Sequence, residues 1–141
     1  MKIEIWSDFI CPFCYIGKRH LEQALSQVPF GSEVSVEFRS FELDPRTPRD
    51  SSVPVVDMLA KKYGVTREQA RQMNANVAAQ AAQVGLTYNY EQWISANTFD
   101  AHQLAQFAAE RGKGTEMTER LFYAHFTEAK HLGDRETLLA L

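Results

Sequence analysis

Lys2-Ile3-Glu4-Ile5-Trp6-Ser7 runs through Asp8-Phe9-Ile10 into Cys11-Pro12-Phe13-Cys14-Tyr15-Ile16-Gly17-Lys18, and this stretch decides the fold. Ile3 and Ile5 share one face of a short strand and Trp6 takes the other. The strand is therefore expected to be covered on both sides, as in a parallel or mixed sheet layered with helices. From Pro12 to about Gln27 the pattern is helical, with Ile16, Leu21, Ala24, Leu25 and Val28 along one side. Proline suits the first helical turn, where the N–H groups have no partner within the helix. Val34, Val36 and Phe38 alternate with polar residues as a second strand. Strand, helix and strand make a βαβ unit, right-handed by steric preference. Both cysteines stand where its first strand hands over to the helix.

Beyond this unit, residues 39–54 carry Pro45, Pro48 and Pro54 among polar neighbours and read as a crossing loop. Everything after it reads as helix: Val53 to Tyr63, stopped by Gly64; then a segment opened by a Thr66/Gln69 capping box and closed by Gly85. Asp100 to Glu110 and Thr115 to Phe126 follow, and Asp134 opens one more. Leu86 to Ile94 is aromatic and irregular. Two strands make a marginal sheet. Further strands after Leu141, or a second copy completing the sheet as a homo-oligomer, are therefore expected.

The chain has 141 residues, 45% of them hydrophobic and 23% charged, as in a globular protein large enough to fold without a disulfide scaffold. Fifteen basic against 18 acidic residues leave a formal charge of -3, so no nucleic-acid partner is expected. No apolar run is long enough to span a membrane, and the first residues lack the apolar stretch of a secretory leader. A cytoplasmic location follows as the expectation.

Two thiols spaced Cys-x-x-Cys at a helix start can close a small disulfide without disturbing the helix. Cys11 lies beside the unpaired N–H groups of the first turn, which favour a thiolate, and Cys14 sits a turn deeper. That asymmetry suits Cys11 to attack and Cys14 to resolve a mixed disulfide. Two alternatives stand beside it. The pair also suits half of a zinc site, for which His20, His102, His125 and His131 are the available histidines. It is also compatible with two inert buried thiols. The redox reading needs no metal and no organic cofactor.

Asp8-Phe9-Ile10-Cys11-Pro12-Phe13-Cys14-Tyr15-Ile16-Gly17-Lys18 resembles the opening of DsbA-like thioredoxin oxidoreductases of the FrnE type. The likeness continues through Phe41-Glu42-Leu43, Lys62-Tyr63-Gly64, Gly85-Leu86, Asn97-Thr98-Phe99-Asp100-Ala101-His102 and Leu121-Phe122 to Gly133-Asp134. The resemblance implies an α/β thioredoxin-like fold with a large α-helical insertion. Residues 1–50 would be the N-terminal part of the thioredoxin-like domain and residues 51–141 the insertion. It implies that Cys11 is the nucleophile and Cys14 the resolving cysteine, with Pro12 and Phe13 supporting them. In this family the remaining strands and a cis-proline loop follow the insertion; Pro45, Pro48 and Pro54 lie in the wrong part of the fold for that role.

The implied function is thiol–disulfide exchange with protein thiols and disulfides or with glutathione. Glutathione-dependent relatives, the kappa-class glutathione transferases and 2-hydroxychromene-2-carboxylate isomerases, typically carry serine at the place of Cys11. An isomerase or transferase is thus the first alternative, and a non-catalytic helical interaction module the second. Phe9, Asn97, Thr98 and His102 are candidate substrate contacts, although Asn97, Thr98 and His102 equally suit capping or packing at a helix start. Phe13 and Tyr15, with Phe9, would give the cysteines an apolar rim. Tyr88, Tyr90 and Trp93 read as packing of the insertion against the β unit.

Overall fold

A computed structural model describes all 141 residues. β1 (Lys2–Ser7) and β2 (Ser35–Ser40) pair in parallel, with Lys2 opposite Ser35 and Ser7 opposite Ser40, and α1 (Pro12–Ser26) crosses between them. After α1 the chain turns back beneath the helix through Gly31. A Cβ there would stand 1.8 Å from the Leu25 carbonyl oxygen, so the turn requires glycine.

Strand parity sorts the sheet into two unlike faces. Ile3 and Ile5 lie beside Val36 and Phe38 on the inner face, while Lys2, Glu4 and Trp6 share the outer face with Glu37 and Arg39. Outer-face charges pair across the strands: Lys2 Nζ lies 3.0 Å from Glu37, and Arg39 binds both Glu4 and Glu37. Trp6 is 62% exposed among them. The expectation that β1 is covered on both sides is corrected accordingly. Lys2 and Glu4 have the same parity as Trp6, which marks that face as polar.

The long loop leads into α2 (Val55–Tyr63), closed by Gly64 in the left-handed region at φ 64°. Thr66 and Gln69 form the expected capping box at the head of α3 (Arg67–Ala82), each side chain bonding the other's backbone N–H. An irregular segment then carries Tyr88 and Trp93 inward before α4 (Phe99–Ala109), α5 (Gly114–Phe126) and the short α6 (Arg135–Leu139). Asp134 caps α6 by accepting the Thr137 N–H at 2.8 Å. The result is the expected mixed α/β arrangement, a two-stranded sheet with a large helical insertion. No helix is long and apolar enough to cross a membrane.

The core lies between the first half of α1, the 86–93 segment, α4 and α5. Tyr15 stacks on Phe122 at 5.0 Å, and Tyr88 stacks on Phe126 at 4.7 Å. α5 covers the opening turns of α1, so the buried α1 residues are Tyr15, Ile16 and Lys18, while Ala24 is exposed. Lys18 is tolerated inside because Glu119 of α5 receives its Nζ at 2.7 Å. The same carboxylate accepts the Tyr15 hydroxyl at 2.7 Å and the Arg19 guanidinium. Burial alone would raise the Glu119 carboxyl, but Arg19, Lys18 and Tyr15 draw it down to about 2.

His125, in the last turn of α5, is 1% exposed and stacks on Trp93, and its Nδ1 meets no protein partner. Burial drives its pKa down to about 4. An unfolded histidine titrates near 6.5, so between these values the unfolded chain binds a proton that the native chain refuses. Stability should be full above pH 6.5 and fall as pH drops towards 4, by on the order of 3 kcal/mol. Urea unfolding of wild type and His125→Phe across that range tests this. The variant should lose most of the slope, and an unchanged slope would assign it to other groups.

Candidate active site

β1 ends at Ser7, and after four intervening residues α1 begins with Pro12 as its first residue and Cys11 as the extended residue before it. Cys11 N–H donates to the Asp8 carbonyl at 3.2 Å, and Cys14 N–H to the Cys11 carbonyl at 3.1 Å, so the motif winds directly into the helix. Both cysteines are free thiols, half-buried, with Phe13 between them 55% exposed.

Asp8 holds this loop in place. Its side chain is 1% exposed, yet both oxygens are occupied. Oδ1 accepts the Phe9 N–H at 2.8 Å and lies 3.1 Å from His102 Nε2, and Oδ2 accepts the Leu43 N–H at 2.8 Å. One carboxylate thus joins the cysteine loop, the segment after β2 and the first turn of α4. A second tie comes from the irregular segment, where the Tyr88 hydroxyl donates to the Pro12 carbonyl at 2.6 Å.

The two thiols titrate as a pair. When one sulfur is ionised the other donates a hydrogen bond to it, so the first proton leaves easily and the second with difficulty. Cys14 is drawn down to about 6, first by the hydrogen bond from Cys11; burial opposes this, and the Asp8 backbone and Ser7 hydroxyl add to it. Cys11 is pushed up, first by the same shared bond and then by burial, while the N–H groups of Cys14 and Phe13 act in the opposite sense. The lowered ionisation belongs to the pair, supported by the bond between the two sulfurs, by the Asp8 backbone and Ser7 hydroxyl at Cys14 and by the helix-start N–H groups at Cys11.

Other expected site residues divide by burial. Phe13 stands open beside the cysteines, but Phe9 and Tyr15 are core: Phe9 packs on His102 at 4.8 Å and on Phe122 at 5.2 Å. The apolar rim expected from all three therefore reduces to Phe13, because the loop turns Phe9 inward and the first helical turn carries Tyr15 onto α5. Exposed Phe41 and Leu43 flank the same end of the sheet, where the Phe41 and Leu43 N–H groups bond Ser7 and Asp8. Asn97 is buried, donating to the Thr47 carbonyl at 2.7 Å and accepting the Phe99 N–H at 3.0 Å. Thr98 is buried beside it. His102 lies beneath Asp8 and also lines a cleft of about 290 Å³ with Ser40, Glu42, Phe99, Gln103 and Gln106.

No three histidine, cysteine or acidic side chains converge as metal ligands. His125 is sealed in the core, His131 lies against the Ser51 carbonyl and His20 is exposed. Sequence reasoning passed over Asp8, Ser7 and Tyr88. An aspartate set among apolar residues just before the cysteines was the available signal for the first; nothing in the chain pointed from Tyr88 to Pro12.

Comparison with known proteins gives three matches. The family model described as the DSBA-like thioredoxin domain matches residues 2–141. The uncharacterized protein YwbO of Bacillus subtilis (strain 168) is 32% identical over 143 residues, which cover all of this chain and 64% of YwbO. The crystal structure of the probable DsbA oxidoreductase SCO1869 from Streptomyces coelicolor superposes with a TM-score of 0.94 at 40% identity, over 99% of this chain and 60% of that one. The chain thus spans less than two thirds of the length of both proteins. The fold is thioredoxin-like. These matches also overturn the cytoplasmic expectation, since DsbA-family oxidoreductases are characteristically periplasmic or secreted. That expectation leaned on the lack of an apolar leader-like stretch in the first residues, and a redox-active pair works equally in an oxidising compartment.

The Asp8 geometry makes a sharp demand on side-chain chemistry. Both oxygens accept backbone N–H groups, so Asp8→Asn must turn its amide nitrogen against one of those donors, and Asp8→Ala abandons both. In urea unfolding, Asp8→Ala should cost about 3 kcal/mol and Asp8→Asn at least about 1 kcal/mol. A wild-type midpoint for Asp8→Asn would show that the carboxylate does not hold the loop.

Proposed function

The chain belongs to the family of DSBA-like thioredoxin domains, and from that premise we propose that it carries the cysteine pair of a thiol–disulfide oxidoreductase. The observation that supports this most is the pair itself: two free thiols at the mouth of a helix, sharing one proton, with one of them lowered to about 6. A pair that ionises once near neutral pH holds a nucleophile ready without a separate base.

In the reducing direction, the pair's one shared proton rests on Cys14, and Cys11, as thiolate, attacks one sulfur of a substrate disulfide. A Cys11–substrate S–S bond forms, the substrate S–S bond breaks, and the distal substrate sulfur leaves as a thiolate. Cys14 gives its proton to the departing thiolate and attacks Cys11; the Cys11–Cys14 bond forms and the second substrate thiolate departs. Two electrons pass from the protein dithiol to the substrate, and the reverse sequence oxidises a substrate dithiol. Substrates are protein disulfides and thiols, or glutathione. Exposed Phe13, Phe41 and Leu43 give an extended polypeptide an apolar surface beside the sulfurs.

Pro12 and Phe13 act as the spacer that sets the helix start. His102, Asn97 and Thr98 serve the site from below, by way of Asp8 and the crossing loop. The likeness of residues 8–18 to the FrnE type supports assignment to that branch. The division into a thioredoxin-like part at residues 1–50 and an insertion at residues 51–141 follows the same likeness.

Single cysteine variants separate the two roles. Incubated with a disulfide-bonded peptide, Cys14→Ser should accumulate a mixed disulfide at Cys11, seen by intact mass. Wild type should release the peptide and end as an internal disulfide 2 Da lighter, by the order of one hydrogen per thiol lost. Cys11→Ser should form no adduct at an appreciable rate. Adduct formation on Cys11→Ser but not on Cys14→Ser would reverse the roles, and none on either would refute the exchange reaction.

A further inference from the structure

Tyr88 reaches the cysteine motif from another part of the chain, and its placement is unusually rigid for a residue in an irregular segment. Its ring is 6% exposed. It is stacked on Phe126 at 4.7 Å, edge-on to Trp93 at 5.4 Å and parallel to Tyr15 at 6.3 Å. The backbone on either side is tied down as well: Leu86 N–H donates to the Ala81 carbonyl at 3.0 Å and Asn89 N–H to the Phe126 carbonyl at 2.9 Å. The phenol oxygen is therefore a fixed point, and what it grips is the carbonyl between the two cysteines, that of Pro12, at 2.6 Å.

The Pro12 carbonyl and the Phe13 N–H belong to one planar peptide unit, so fixing the oxygen end fixes the direction of the nitrogen end. A carbonyl oxygen has two lone pairs, so this bond does not compete with the helix for its acceptor. That peptide joins the two residues between Cys11 and Cys14, so its orientation sets how the first turn of α1 carries both sulfurs.

We infer that Tyr88 is a positioning residue for the cysteine pair: its hydroxyl holds the Pro12–Phe13 peptide between the cysteines, and so holds the two sulfurs at the separation at which they share one proton. This rests on the redox reading of the pair and adds a residue to it. It makes the helical insertion part of the site's electrostatics, because the segment that delivers Tyr88 lies far from the cysteines in sequence. Of the titratable groups around this contact, Asp8, just after β1, and Tyr88 face the pair, while Tyr15 and Arg19 on α1 face Tyr88. Tyr88→Phe leaves the other three in place and keeps the aromatic stack, removing one donor.

The test is the thiolate titration of the reduced 141-residue chain, followed by ultraviolet absorbance and by alkylation rate, in wild type, Tyr88→Phe and Tyr90→Phe. Tyr90 packs on Trp93 in the same segment and makes no hydrogen bond to Pro12, whose carbonyl takes the Tyr88 hydroxyl, so it controls for loss of a tyrosine hydroxyl. In Tyr88→Phe the first ionisation of the pair should rise by about half a unit, leaving about threefold less thiolate at pH values below it. Tyr90→Phe should titrate as wild type. A Tyr88→Phe profile that overlays wild type, whatever happens to its melting temperature, would overturn the role. The comparison is made at whatever value the wild-type pair ionises, so wild-type thiols titrating near 8.5 would contradict the redox reading and leave the Tyr88 comparison intact. Should Tyr88→Phe fail to fold, wild-type NMR decides. The Phe13 amide must shift with the thiol titration, and an amide indifferent to it would overturn the peptide link.

Discussion

A carboxylate buried at the end of a two-stranded sheet persists only if donors meet its oxygens, and Asp8 finds them in three separate parts of the chain. The Phe9 N–H comes from its own loop, the Leu43 N–H from the segment after β2, and His102 Nε2 from α4. Each contact fixes something the cysteines need. The first sets the turn out of β1, so that the chain enters α1 with Cys11 extended and Pro12 helical. The second carries the crossing loop past the site and leaves Phe41 and Leu43 exposed beside it. The third brings α4, and with it the insertion, underneath. An unpaired carboxylate here would cost several kcal/mol, so the three segments are held together by the same requirement.

Further along α1 the insertion grips the helix twice more. Glu119 collects Tyr15, Lys18 and Arg19, and Tyr88 takes the Pro12 carbonyl. Between these ties lies the aromatic stack of Tyr15, Tyr88, Phe122 and Phe126. The opening turns of the helix that bears the cysteines are therefore packed against the insertion. A dithiol that cycles between bonded and free states changes its own local geometry. A stiff support concentrates that change at the two sulfurs.

Much of this was legible in the sequence, and the failures are instructive. Period-two alternation placed both strands, and the Thr66/Gln69 capping box and Gly64 placed two helix ends, because these signals are local and chemical. Cys-x-x-Cys at a strand-to-helix junction located the candidate site. Trp6 was expected inside because it is large and apolar, although Lys2 and Glu4 share its parity and mark the outer face. Ala24 was expected inside from helical spacing alone; which arc of α1 is buried depends on where α5 lies. Lys18 and Asp8 were invisible as core residues because their partners, Glu119 and Leu43 with His102, are remote in sequence. The same distance hid Tyr88, whose aromatic neighbours announced packing while its hydroxyl partner is a backbone oxygen that no side-chain pattern encodes.

The account stands on the claim that Cys11 and Cys14 form a reversible, redox-active pair. The most direct measurement is a redox titration in glutathione buffers of stepped potential, with the oxidised fraction read by intact mass after acid quenching and alkylation. The account predicts a single two-electron transition between dithiol and internal disulfide. Its midpoint should lie between roughly -270 and -120 mV, the span of thioredoxin-fold catalysts. A midpoint below about -300 mV would make the bond a structural disulfide, and thiols that never pair would make them inert. Either result would contradict the claim.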